Sequence, residues 1–181
     1  MGRCPPCGFA SAMTRPDPSD ASFRPRLYWE DFPVGQVREF GGLRVRREDI
    51  VDFASRFDPQ RFHLDDAAAR ETPFGGLVAS GWHTGALAMR MMCDAYLLDA
   101  ASLGSPGLDS LRWVAPVRPD DTLHMRLTVL AARVMKSKPQ VGLVESRWEV
   151  FNQHDELVLD MRGWGMFALR GTLQAPDREA G

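Results

Sequence analysis

The most chemically suggestive part of the sequence is a short segment in which an aspartate and a histidine follow one another closely around a proline. Asp58 and His63 are five residues apart, and Pro59 disfavours helical dihedral angles at the residue before it. Both side chains are therefore expected on one short turn, where they could point into the same pocket. A carboxylate can accept a proton, and an imidazole, whose unperturbed pKa is about 6.5, can hold or donate one near neutral pH. The pair suits acid/base chemistry on a single water molecule.

The same spacing also has a purely structural interpretation. Asp58 could cap a helix whose first residue is Pro59, and His63 could be an ordinary, partly buried histidine. The spacing by itself slightly favours this interpretation, so a functional role needs support from the surrounding sequence.

Two helices are predicted around this turn. The first covers residues 47–57 and should end near Asp58, because its apolar residues recur at the spacing of one helix face. Those residues are Ile50, Phe53, Ala54 and Phe57. The longest helical candidate covers 77–98, and its first turns are unusually rich in small residues. Such residues suit a helix that a sheet wraps closely, although a merely poor helix is the alternative.

After a Gly-rich break at 104–107 the apolar pattern changes to period two, which predicts strands. The three segments are 123–129, 144–150 and 157–161, separated by predicted turns at 136–140 and 152–155. Strands joined in this way form an antiparallel meander. With a further strand from before the long helix, the sequence predicts an α+β domain in which a curved antiparallel sheet surrounds one central helix.

Composition limits the possible functions. The 181 residues carry 22 Lys+Arg and 24 Asp+Glu, a net charge of −2, which argues against a nucleic-acid or membrane-surface partner. No apolar stretch approaches the ~20 residues of a membrane helix, so we expect a soluble protein. Three cysteines favour a reducing, cytoplasmic location. The Cys4-Pro-Pro-Cys7 segment lacks the further ligands of a zinc site, so we expect no metal.

The two ends of the chain differ from its middle. Residues 1–26 contain five of the 13 prolines and little to bury, and residues 171–181 are polar. We expect flexible tails at 1–26 and 171–181 around one domain of residues 27–170.

The segment 58–63 resembles the signature of the MaoC-like dehydratases and the (R)-specific enoyl-CoA hydratases. In that family an aspartate is followed two positions later by Asn, then by Pro, an apolar residue and His. Asp58, Phe62 and His63 match, whereas Gln60 and Arg61 replace the Asn and the Pro. The resemblance spans roughly residues 28–170. It also includes three further segments, Phe74-Gly75, Ser80-Gly81 and Trp113-Val-Ala-Pro-Val117.

This resemblance implies a hotdog fold, in which the helix is the sausage and the sheet the bun. Members of the family add water to 2-enoyl thioesters or remove it from 3-hydroxyacyl thioesters. Asp58 and His63 would then share the acid/base work, and the Gly81 N–H at the start of the long helix would stabilise the negative charge on the thioester oxygen. A larger residue at Gly81 is expected to reduce turnover more than folding. No cofactor is implied beyond the CoA that the substrate carries.

Other residues are weaker candidates for contact with the substrate. They are Arg61, Phe62, Ser80, Trp82, His83, Lys136 and Lys138. For the arginine and the two lysines the contact would be a phosphate of CoA, and the alternative for each is a solvated surface position. Replacement of the family's Asn by Gln60 is expected to remove a hydrogen bond that fixes the loop.

Two alternative functions remain open. One is a hotdog thioesterase, which usually has an acidic residue on the central helix, and the other is a non-catalytic acyl-thioester binding module. The sequence leaves open whether the thioester is carried by CoA or by acyl carrier protein. A single hotdog unit leaves a sheet edge exposed, so a homodimer or higher homo-oligomer is expected.

Overall fold

The protein forms a five-stranded antiparallel sheet around one long helix, as seen in a computed structural model that describes residues 24–172. The strands are β1 (Val37–Arg44), β2 (Gly107–Trp113), β3 (Thr122–Met135), β4 (Lys138–Phe151) and β5 (Leu157–Ala168), in the spatial order β1-β3-β4-β5-β2. The helices are α1 (Arg47–Phe57), α2 (Arg61–Leu64), α3 (Asp66–Arg70) and α4 (Gly81–Ala95), with 3-10 turns at Trp29–Asp31 and Leu97–Asp99. No helix within residues 24–172 is long and apolar enough to cross a membrane.

The core lies between α4 and one face of the sheet. The period-two residues of the predicted meander supply the sheet side, and Ala88, Met91 and Met92 supply the helix side. Alternate residues of β4 and β5 point the other way, where Arg147 pairs with Asp160. The predicted α+β architecture, a hotdog fold with one central helix, is confirmed.

The long helix is shorter than the sequence predicted. It begins at Gly81 rather than at residue 77, because the Ala79 N–H bonds the Val117 carbonyl (2.8 Å) and Ser80 caps the helix by accepting from Trp82 N–H (3.2 Å). It ends at Ala95, before Tyr96, rather than at residue 98. The first four predicted helical residues instead form an extended segment.

The sheet has one strand more than predicted. The sequence pattern does not predict strand β2. Because this is an edge strand with nearly all of its residues exposed, its sequence shows no alternation of buried and exposed positions. Strands β3 and β4 have 14 residues each and extend well beyond the predicted segments, so only Lys136 and Ser137 remain between them. Phe57 also differs from expectation, since it is exposed beside Arg56 rather than buried.

The predicted tails fall almost entirely outside the described residues. Of the N-terminal one, only 24–26 are described, and the Arg26 N–H there bonds the Asp99 carbonyl (2.7 Å). The predicted CxxC pair also lies outside the described part of the chain. The domain boundaries therefore remain predictions.

Candidate active site

A cleft of about 480 Å³ lies where the turn after α1 meets the start of α4. Its polar side chains are those of Asp58, Gln60, His63, Ser80 and Thr84. Most of its remaining lining is apolar. It comes from α2, from the segment between α3 and α4 with the first residues of α4, and from the end of β2 with the segment that follows it. The larger of these apolar residues include Phe62, Phe74, Val78, Trp82, Trp113, Val114 and Pro116. The cleft thus combines a few polar groups with an apolar surface, as small-molecule sites do.

Asp58 terminates α1 and turns the chain into the cleft. Its N–H bonds the Ala54 carbonyl (2.9 Å), and its own carbonyl accepts from the Gln60 N–H (2.7 Å). Helix α2 begins only at Arg61, and Gln60 occupies its N-cap position. The interpretation of Asp58 as the N-cap of a helix that begins at Pro59 is therefore wrong. Asp58 is instead the C-cap residue of α1, and its carboxylate is directed to other partners.

The carboxylate of Asp58 is held by two hydrogen bonds. The Ser80 hydroxyl donates to Oδ2 (2.6 Å) and the Gln60 side-chain amide donates to Oδ1 (2.8 Å). These bonds, that from Ser80 above all, hold the pKa of the Asp58 carboxyl below its usual value, with His63 adding to the effect and burial opposing it. Gln60, which stands in the place of the family's Asn, thus supplies a hydrogen bond to the carboxylate within this loop.

His63 lies on α2, is 5% exposed, and faces the same carboxylate oxygen. Its Nδ1 is 2.8 Å from the Val78 carbonyl oxygen. Because a carbonyl can only accept, Nδ1 carries a proton, and Nε2 is the atom turned toward Asp58, 3.4 Å from Oδ2. Oδ2 and Nε2 therefore form a pair of groups able to accept or return a proton at one point of the cleft.

Gly81 is the first residue of α4 and lies beside this pair. Its N–H makes no hydrogen bond within residues 24–172, as is usual at a helix start. The indole N–H of Trp113 donates to the Gly81 carbonyl (2.8 Å), and a Cβ on Gly81 would lie 2.5 Å from the Trp113 ring. The contact with Trp113 thus gives a packing reason for glycine at this position, and no local pattern of the sequence indicates it.

The structure brings together only part of the predicted substrate-contacting set. Phe62, Ser80 and Trp82 line the cleft together with Asp58, His63 and Gly81. Arg61 is exposed and outside the lining, and the His83 ring stacks on Phe53 of α1 (4.8 Å between centroids).

Lys136 and Lys138 lie at the opposite end of the sheet. The strand register places Trp113 level with Leu159 of β5 and Val150 of β4. Lys138 is the first residue of β4, so about 40 Å of strand separates it from that level, at roughly 3.3 Å per residue. Within one chain these lysines do not meet the cleft.

An apolar cavity of about 550 Å³ adjoins the cleft and shares Trp82 with it. It extends along α4 past Gly85 and Met89, and Leu108 and Leu111 of β2 line its other side. No group of three or more His, Cys, Asp or Glu side chains in the described part of the chain is arranged to hold a metal ion.

Comparison with known proteins assigns the family. The chain belongs to the MaoC-like domain family, whose sequence model matches residues 31–150. It is 40% identical to the MaoC-like dehydratase from Rhodospirillum rubrum, whose crystal structure superposes with a TM-score of 0.74 over 80% of this chain and 98% of that one.

Two further relatives are named for their activities. The (R)-hydratase PhaJ1 from Pseudomonas aeruginosa is 26% identical, with a TM-score of 0.61 over 79% of this chain and 86% of that one. The 3-hydroxybutyryl-CoA dehydratase from Methylorubrum extorquens is 31% identical over 108 residues, which are 57% of this chain and 64% of that protein. The relatives of this chain thus include hydratases and dehydratases.

Proposed function

We propose that this protein hydrates 2-enoyl thioesters, or dehydrates 3-hydroxyacyl thioesters, with Asp58 and His63 as the acid/base pair. The observation that carries the proposal is the 3.4 Å approach of Asp58 Oδ2 and His63 Nε2 beside the N–H of Gly81, which has no hydrogen-bond partner among the described residues. The family membership and the hydratase and dehydratase activities for which two relatives are named support the same reaction class.

Hydration consumes one water and requires two proton transfers, one from the water to the Asp58–His63 pair and one from the pair to the substrate. In hydration, the water loses a proton to the Asp58–His63 pair as its oxygen bonds the β-carbon. The electrons of the double bond move toward the thioester oxygen, where the Gly81 N–H and the positive end of α4 stabilise the charge. The pair then returns a proton to the α-carbon, so that it holds the same number of protons before and after the cycle.

The apolar cavity provides a place for the acyl chain in this proposal. It begins at Trp82, the residue it shares with the cleft, and its lining is dominated by apolar side chains. A thioester seated beside Gly81 would direct its acyl group along α4 into this space.

The thioesterase alternative gains no support from α4. That helix has a single acidic residue, Asp94 near its C-terminal end, which is bonded to Arg90 (2.6 Å). The first turns of α4, which face the cleft, supply no carboxylate to activate water against the carbonyl carbon.

A homodimer is part of the same proposal. Strand β2 is an edge of the sheet, and several large apolar side chains on or beside it and on α4 are exposed. They are Trp82 (64%), Met89 (49%), Leu108 (47%), Trp113 (47%) and Val114 (52%). A second copy seated on this surface would cover the sheet edge and the apolar side chains together.

The reaction is tested by the loss of 2-enoyl absorbance when crotonyl-CoA and longer or branched enoyl-CoAs are hydrated. We expect turnover by the unsubstituted protein and a loss of about 10²- to 10⁴-fold in kcat for Asp58→Asn and for His63→Ala, the usual range for a general acid or base. Asp52→Asn and His154→Ala, at exposed positions outside the cleft, are the matched controls and should retain activity.

Two results would contradict the proposal. Absence of turnover with every enoyl-CoA, with ligand binding unaffected by Asp58→Asn, would favour the binding module. Turnover that survives both substitutions would reject the assignment of the pair.

A further inference from the structure

The Ser80 hydroxyl joins the start of α4 to the turn that carries Asp58. Ser80 is completely buried, and its Oγ accepts from the Trp82 N–H (3.2 Å) while donating to Asp58 Oδ2 (2.6 Å). A hydroxyl has only one proton. Because an ionised carboxylate can only accept and the Trp82 N–H can only donate, that proton is directed at Asp58.

The bonded oxygen is the one that matters for the pair. Oδ2 is the Asp58 atom that faces His63 Nε2, whereas Oδ1 is held by Gln60. The hydroxyl therefore fixes the direction in which the carboxylate presents Oδ2, across 22 positions of sequence. The imidazole is fixed independently, through Nδ1 and the Val78 carbonyl.

We propose that Ser80 is a positioning residue, which holds Asp58 ionised and Oδ2 in register with His63 rather than contacting the substrate. The proposal rests on the proposed function only for its effect on turnover. Its effect on the carboxylate is a property of the protein alone, because the donors that surround Asp58 are part of the fold.

The hydroxyl has a second, purely structural role as the cap of α4, and the two roles predict different results. Loss of a helix cap lowers stability clearly when Ala replaces Ser, but much less when Gly does. Loss of the bond to Oδ2 removes a donor that favours the ionised carboxylate, so the pKa of Asp58 should rise in both variants.

The test combines carboxyl ¹³C NMR titration of Asp58 with the pH profile of kcat/KM. The Asp58 signal is assigned by its absence in Asp58→Asn. The variants are Ser80→Ala and Ser80→Gly, which lack the hydroxyl, and Ser80→Thr, which keeps it. Asp65→Ala is the matched control, since Asp65 caps α3 by accepting from the Ala68 N–H and has no contact with Asp58.

We expect the Asp58 titration midpoint to move to higher pH in both hydroxyl-free variants and to return toward the original value in Ser80→Thr. The acidic limb of kcat/KM should follow it, and kcat at neutral pH should fall by about 10- to 100-fold, the scale of a misplaced catalytic group. Asp65→Ala should lower stability and leave unchanged both the Asp58 titration midpoint and the acidic limb of kcat/KM.

An Asp58 midpoint that stays unchanged in Ser80→Ala and Ser80→Gly would overturn the proposal. The proposal would also be overturned if Asp65→Ala lost as much turnover as those two variants when the loss of stability was the same. Failure of the proposed function is a different result, namely no turnover by the unsubstituted protein, and the NMR midpoints would still decide the role of Ser80.

Discussion

His83 is a buried histidine that the proposed reaction does not use. It is 5% exposed, its ring stacks on Phe53, and its Nδ1 makes no hydrogen bond within residues 24–172. Burial lowers the pKa of His83, and the charge of Asp49 only partly opposes this. The folded protein therefore favours the neutral ring between α1 and α4.

This burial predicts a stability that depends on pH. The His83 pKa is lower in the folded than in the unfolded chain, where it is about 6.5, so the unfolded state binds more protons as the pH falls below that value. The free energy of unfolding should decrease from pH 7.5 to pH 5.5. Urea unfolding at both values measures it, and the decrease should be smaller in His83→Leu.

His154→Leu provides the comparison, because His154 is exposed. In His154→Leu the free energy of unfolding should decrease from pH 7.5 to pH 5.5 by as much as in the unsubstituted protein. An equal decrease in His83→Leu and in the unsubstituted protein would show that His83 does not cause the pH dependence of stability.

The contact between β2 and α4 decides what residue can begin the helix. The Trp113 ring occupies the place of a Gly81 side chain, whereas a Cβ on Gly85, one turn later, would meet no atom within 4 Å. The same substitution at these two glycines should therefore have opposite effects, although both lie on one helix.

Gly81→Ala should lower the free energy of unfolding by about 1–3 kcal/mol, as overpacking does. Gly85→Ala should raise it by about 0.5–1 kcal/mol, because alanine loses less entropy in a helix. Chemical denaturation measures both. The sequence alone predicts that a larger residue at Gly81 reduces turnover more than folding, and the contact with Trp113 adds the expectation of a loss of stability.

Trp113→Ala separates the two roles of the glycine. In that background Gly81→Ala should no longer be destabilising, since the colliding ring is absent. A penalty that persists would mean that the ring is not its cause. Turnover that stays low after stability has recovered would support the use of the Gly81 N–H in the reaction.

Edge strand β2 carries or adjoins several of the exposed apolar side chains, so this edge is the proposed interface with a second copy. Sedimentation velocity should show a dimer for the unsubstituted protein and a monomer for Leu108→Arg, which places a charge on edge strand β2. Val34→Arg is the matched control, because Val34 is similarly exposed (61%) but lies before β1, at the other edge of the sheet. A monomeric unsubstituted protein, or a dimer that survives Leu108→Arg, would contradict the proposed interface.

Local patterns in the sequence determined much of the architecture. The helix over 47–57, its end before Pro59 and the period-two strands follow from dihedral limits and from the spacing of apolar residues, which act within a few positions. The turn after α1 begins a motif, Asp58 to His63, that matches the signature of the family to which the chain belongs.

Only the tertiary structure decided how that turn is completed. The bond of Ser80 to Asp58 spans 22 positions and that of Trp113 to Gly81 spans 32, so neither leaves a periodic trace in the sequence. The start of α4 and the edge strand β2 likewise depend on partners distant in the chain. Residue types and short spacings identify groups that can do chemistry, whereas long-range packing selects which of them share one cleft.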